Sequence, residues 1–168
     1  ASLSSAQVQG FSTAQIAALT AQDLNALSAG SLQTLDADQI AALTTSQVAA
    51  LSTTQAAALT TGQVQALTVD DFTVISSQQI AAFSTDQVAA ITSDQIAALR
   101  TQAIAGFGTD DISALTTDQI GGLQSGQAAA LSTAQIGAFG NDQIAALSEA
   151  AIGAFTSPQI LAFSDSQT

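Results

Sequence analysis

The chain has 168 residues, a formal net charge of −12 and one basic side chain, Arg100, with no Lys, His, Cys, Met, Trp or Tyr. This inventory excludes a Ser nucleophile paired with a His or Lys base, and it lacks the clustered cations that nucleic acid or an anionic membrane surface requires. At 47% hydrophobic and 8% charged residues the chain is too apolar for a disordered polar tail and should fold.

No secretory leader is visible at the start, because ASLSSAQVQG lacks a basic region and an apolar stretch, so the sequence is expected to be either a matured chain or an internal fragment. It opens directly on a phrase that recurs every eight residues. One apolar column begins at Leu3, Phe11, Leu19 and Leu27 and continues in unbroken register through Leu51 and Leu99 to Phe163. A second column lies five residues further on, from Val8 and Ile16 to Ile152 and Ile160. Both are expected to face a core. A single continuous α-helix cannot carry such a pattern, since eight residues at about 100° each would rotate the stripe by roughly 80° per repeat.

From Ser12 onward each octad states how it breaks. Ser or Thr follows the large apolar anchor, as at Ser12, Ser52, Thr60, Ser84, Thr92, Thr116 and Ser132, and Gln stands three residues later, as at Gln15, Gln55, Gln63, Gln87, Gln95, Gln119 and Gln135. Ser/Thr-x-x-Gln is a capping box, and the two apolar columns fall at the N′ and N4 positions of a hydrophobic staple. Asp occupies N2 at Asp38, Asp86, Asp94, Asp118 and Asp142, where the helix dipole favours a carboxylate. Ala-Ala pairs such as Ala17-Ala18 and Ala97-Ala98 follow, supplying helix propensity and small volume.

The middle of the chain holds the departures. VDDFTVIS, running to Ser76 through Asp70, Asp71 and Phe72, is the most divergent octad. Arg100, Gly108, Gln124 and Gly140 replace the cap hydroxyl, and Gly121-Gly122 replaces Ala-Ala. Pro158, the single proline, stands in a first turn, where its missing N–H is tolerated.

The predicted fold is all-α: a solenoid of short capped helices, one per eight-residue repeat, each followed by a tight reversal. Residues 1–168 read as a single unit of about 21 repeats without separate capping units, since ASLSSAQVQ and LAFSDSQT are ordinary repeat text. A β-solenoid is the alternative, weakened because Ala-Ala is poor strand material and the capping boxes would have no purpose there. The phenylalanines show no clean higher period, so the number of octads per superhelical turn is left open.

No catalytic, cofactor-binding or metal-ligating residue is assigned. Asp70-Asp71, Asp110-Asp111 and the column containing Asp86 and Asp94 offer carboxylate oxygens of the kind Ca²⁺ takes, yet the glycine-rich calcium loops of β-solenoids are absent and capping already accounts for these positions. A carboxylate pair for glycoside hydrolysis needs a cleft, which nothing in the sequence suggests. Paired hydroxyls at Ser12-Thr13, Thr44-Thr45, Ser52-Thr53, Thr60-Thr61, Thr116-Thr117 and Ser132-Thr133 could form a regular face for ice or carbohydrate. Apolar runs are interrupted in every octad, so no membrane span is expected.

The phrases STAQIAALT (Ser12 to Thr20), TTSQVAALS (Thr44 to Ser52) and STAQIGAF (Ser132 to Phe139) resemble the tandem LTTxQIAAL-type tracts of large secreted bacterial surface proteins, often labelled adhesins or haem-utilisation proteins. The resemblance implies an extracellular or cell-surface spacer with binding performed by other domains. Haem ligation is not expected from this tract, which has no His, Cys, Met or Tyr to serve as an axial ligand. The expected function is structural and non-catalytic, as a stalk or filament subunit. Its expected partners are further copies of itself or the continuation of a longer chain.

Overall fold

The computed structural model describes residues 5–163, which form twenty helices of four to six residues, numbered in chain order from α1 (Ser5–Gln9) to α20 (Ser157–Ile160), with no strand among the described residues. The all-α reading holds and the β-solenoid alternative falls. Leu3, the first member of the outer apolar column, and most of the closing repeat text lie outside the described residues.

The octad containing α12 (Ser93–Ala98) shows why each helix starts and stops where it does. Thr92 has extended backbone, its Oγ1 accepts the Gln95 N–H at 3.2 Å, and its own N–H donates to Gln95 Oε1 at 2.8 Å. Two otherwise orphaned donors of the first turn are thereby satisfied. The helix ends at Leu99 (φ −58°, ψ 136°), and Arg100 (φ −65°, ψ 149°) leads into α13 (Thr101–Ile104). Two consecutive extended residues with negative φ make the corner. No described residue has positive φ, which explains why the corners contain no obligatory glycine.

The reversal expected from the sequence is instead a turn of about a third of a circle. Helices that pack on one another lie three apart in the chain along the whole array, as in the file α6 (Thr45–Ala50), α9 (Val69–Phe72), α12, α15 (Thr117–Gly121) and α18 (Asn141–Ala146). Three octads, or 24 residues, therefore make one coil of a three-sided stack. The inner column fills the axis: Ile16, Leu24, Ile40, Val64, Phe72 and Ile96 are fully buried. The outer column closes the corners, with Leu51, Leu99 and Phe107 at 3–5% exposure. At roughly 1.5–3 kcal/mol per buried aliphatic side chain, this shared axis supplies the burial that helices of four to six residues need to exist at all.

The coil length also gives the phenylalanines their period. Phe11, Phe83, Phe107 and Phe155 differ by multiples of 24 and stack along one corner of the prism, Phe139 and Phe163 stack along a second, and the third corner has none. Phe83 is accommodated where the inner column shrinks to Ala56: both line a residual cavity of about 10 Å³, together with Leu59 and Leu67. Ala128 and Phe155 repeat the same 27-residue pairing three turns on.

Candidate functional site

The polar groups of the repeat converge on the interface between successive coils. Twelve glutamines at the N3 position, Gln39 through Gln159, are 2–7% exposed. The capping box accounts for one end of each amide. Its other end points down the stack: Gln47 Nε2 donates to the Ile16 and Leu19 carbonyls at 2.8 and 2.7 Å, and Gln127 Nε2 to the Ile96 and Leu99 carbonyls at 2.7 Å each. Gln63, Gln79 and Gln135 do the same at 2.9 Å.

These acceptors lie 31 and 28 residues earlier, at the corner where the coil below ends one helix and begins the next. Helix C-termini leave carbonyls without intrahelical partners, so one side chain caps the start of its own helix and the end of another. The orientation of the amide is dictated by chemistry. Turning it over would set NH₂ against the N-cap N–H and the oxygen against two carbonyls. The sequence reading identified the Oε1 half of this arrangement from the Ser/Thr-x-x-Gln spacing; it missed the Nε2 half, whose partners are nearly four octads away.

The departures from the repeat weaken this ladder at definite places. Gly108 and Gly140 retain only the reverse half of the box, donating their N–H groups to Asp111 Oδ2 at 2.9 Å and Gln143 Oε1 at 2.8 Å. Arg100 makes no cap hydrogen bond, and Ala103 stands at the ladder position of the same helix. Asp71 is the buried exception: Thr68 donates to its Oδ2 from N at 2.8 Å and from Oγ1 at 2.7 Å, while Oδ1 is buried without a partner. Burial pushes the Asp71 carboxyl above its ordinary range against the opposing effect of the Thr68 hydrogen bonds, and neighbouring Asp70 pushes it further up.

The other carboxylates lie outward. Asp70, Asp94, Asp118 and Asp142 form one exposed file along a face of the prism, one per coil. A second face carries Asp38, Asp86 and Asp110. The third, with α7 (Thr53–Ala58), α10 (Ser77–Ala82), α13 and α16 (Ser125–Ala130), has Thr54, Gln78, Gln102 and Gly126 at the same position and no carboxylate there. Among the described residues no three acidic side chains come together in a way that could hold a metal ion. Asp70 and Asp71 diverge, one exposed and one buried; Asp111 is engaged with Gly108.

The paired hydroxyls are split in role. The first of each pair caps its helix, as Ser12 Oγ does with the Gln15 N–H at 3.3 Å and Ser132 Oγ with the Gln135 N–H at 3.2 Å. The second stands at N1, and Thr13, Thr53, Thr61, Thr117 and Thr133 are exposed, with Thr45 half-buried. On one face α8 (Thr61–Ala66), α11 (Thr85–Ala90), α14 (Thr109–Ala114) and α17 (Thr133–Gly137) all begin with Thr, flanked by α5 (Ala37–Ala41) and α20, which begin with Ala37 and Ser157. No described helix is long and apolar enough to cross a membrane.

A three-sided stack of capped octads joined by buried amides defines a helical repeat protein built by iteration of one short unit. The ALTTAQ repeat family matches this chain over residues 21–53, 69–101, 96–125, 122–149 and 128–165, more than half of its length, and the chain belongs to that family. No curated protein and no solved structure matches it.

Proposed function

We propose that the chain is a non-catalytic structural element, a stiff spacer or self-associating subunit of a bacterial surface or extracellular protein. The observation that carries this reading is the glutamine ladder: twelve buried glutamines, the commonest polar residue of the repeat at N3, are committed to holding coil on coil. The resemblance of STAQIAALT and TTSQVAALS to tracts of secreted surface proteins supports the location.

Self-association follows from the same interface. At the last described helices inner-column side chains are open to a further coil: Ile152 is 46% and Ile160 47% exposed, against 0% for their counterparts Ile80 and Ile136. A further coil, whether from a second copy or from a longer chain, would bury them. Such head-to-tail contacts are heterologous and generate open fibres.

Negative-stain electron microscopy across a concentration series tests the reading. Rods or fibres of uniform width are expected, lengthening with concentration if copies stack. Compact particles without an axis would overturn it. The alternative is a ligand face of N1 threonines for ice or carbohydrate. That face would give thermal hysteresis or glycan retention, both lost when Thr85 and Thr109 are replaced by Lys.

A further inference from the structure

The ladder position holds a carboxylic acid in the middle of the stack. Asp71 is 1% exposed, and its Oδ1 is the one buried side-chain polar atom without a hydrogen-bond partner among the described residues. Its Oδ2 does what glutamine Oε1 does elsewhere, accepting from the N-cap N–H, here that of Thr68. The remaining oxygen, Oδ1, is the chemical counterpart of the amide nitrogen. In other coils that nitrogen donates to the carbonyls 31 and 28 residues earlier; counted from Asp71, these belong to Ile40 and Leu43.

An ionised carboxylate has only acceptors to offer. In this position it adds an uncompensated charge to a buried joint, and burial of an unpaired charge is strongly unfavourable. A proton on Oδ1 removes the charge and converts the misfit atom into a donor.

We propose that Asp71 serves the stack as a neutral carboxylic acid, its proton standing in for the glutamine amide, so that the coil containing α9 is a proton-controlled joint in the solenoid. Its surroundings supply no cation to hold the ionised form. The packed helix α6 has no charged residue, and α12 brings Asp94. The corner below, at α5 (Ala37–Ala41), brings Asp36 and Asp38, and α9 itself brings Asp70. The lone cation, Arg100, precedes α13, which packs on α10 rather than on α9.

The sign of the pH effect is opposite to ordinary acid denaturation. With its affinity for the proton raised in the folded state, Asp71 binds more proton folded than unfolded, so its contribution to stability is fully present below the unfolded value and is lost as pH rises through the folded one.

The test compares the full chain with D71Q and D71N by thermal melting between about pH 4 and pH 8, together with carbonyl-carbon NMR titration of the Asp71 carboxyl. D71Q installs the residue that twelve other octads bury at this position; D71N keeps the length and cannot ionise. The expected result is that the native melting midpoint falls relative to both variants as pH rises, by about 3 °C or more, while the carboxyl carbon titrates above the ordinary carboxylate range. Parallel midpoint curves for native chain and both variants, or a carboxyl that ionises at its ordinary value, would overturn the proposal. So would a native midpoint that ignores pH and rises with added calcium or potassium chloride, since Oδ1 would then hold a cation in place of a proton.

Discussion

At the scale of a residue, the stack is governed by what a single amide can do that its isosteres cannot. Gln95 accepts from Thr92 with one end and donates to the Val64 and Leu67 carbonyls, at 3.2 and 2.7 Å, with the other. Leucine would preserve volume while leaving a donor and two acceptors unsatisfied in a site 2% exposed. Q95L should therefore cost about 2–4 kcal/mol of stability, measured by chemical denaturation. Q95E should cost at least as much at neutral pH, because a buried carboxylate would face two carbonyl oxygens. Equal stability of Q95L and the native chain would remove the ladder's energetic role.

Asp71 shows the limit of reading such positions from sequence. As the N3 residue of VDDF it looks like an ordinary capping carboxylate, one of a pair offered to calcium or solvent. Its burial depends on a coil that arrives 24 residues later.

At the scale of the helix, the start signals were legible and the geometry of the corners was not. Ser/Thr-x-x-Gln with flanking apolar residues states a capping box and staple in local terms, and the helices begin where it says. The amount of turn between helices is set by two extended residues whose φ and ψ are open to almost any side chain, so no residue type announces a third of a turn rather than a reversal. The same holds for glycines that need closeness rather than a special φ. A Cβ at Gly106 would lie 2.3 Å from the Ser77 carbonyl oxygen and 2.8 Å from Ile80 Cβ, whereas at Gly121 the nearest atom is 3.6 Å away. Gly106→Ala is expected to destabilise the stack by about 1–3 kcal/mol through overpacking. Gly121→Ala should be neutral or stabilising by up to about 1 kcal/mol, since it sits in a helix where alanine is the better former. Thermal melts of the two variants check both signs; identical effects would contradict the close approach of α13 to α10.

At the scale of the molecule, the fold is a one-dimensional stack in which each coil meets only the coils above and below. Its class could be read from the octad because the breaks recur without a slip. The coil of three octads could not: near-identical repeats carry little information about which octad lies on which. The phenylalanine corners and the Ala56–Phe83 pairing mark the period only after the coil is known. Charge is distributed on the same plan, with carboxylate files on two faces and none at the corresponding positions of the third.

Side-chain amides of buried glutamines bind coil to coil along the stack, interrupted where Asp71, Ala103 and Asp111 replace them. Hydrogen exchange of the glutamine side-chain NH₂ groups, resolved by NMR, tests it directly. Slow exchange is expected for Gln47, Gln63, Gln95 and Gln135, which donate across coils, and exchange at the rate of a free amide for the exposed Gln22 and Gln102. Uniformly fast exchange of all side-chain amides in the folded chain would contradict it.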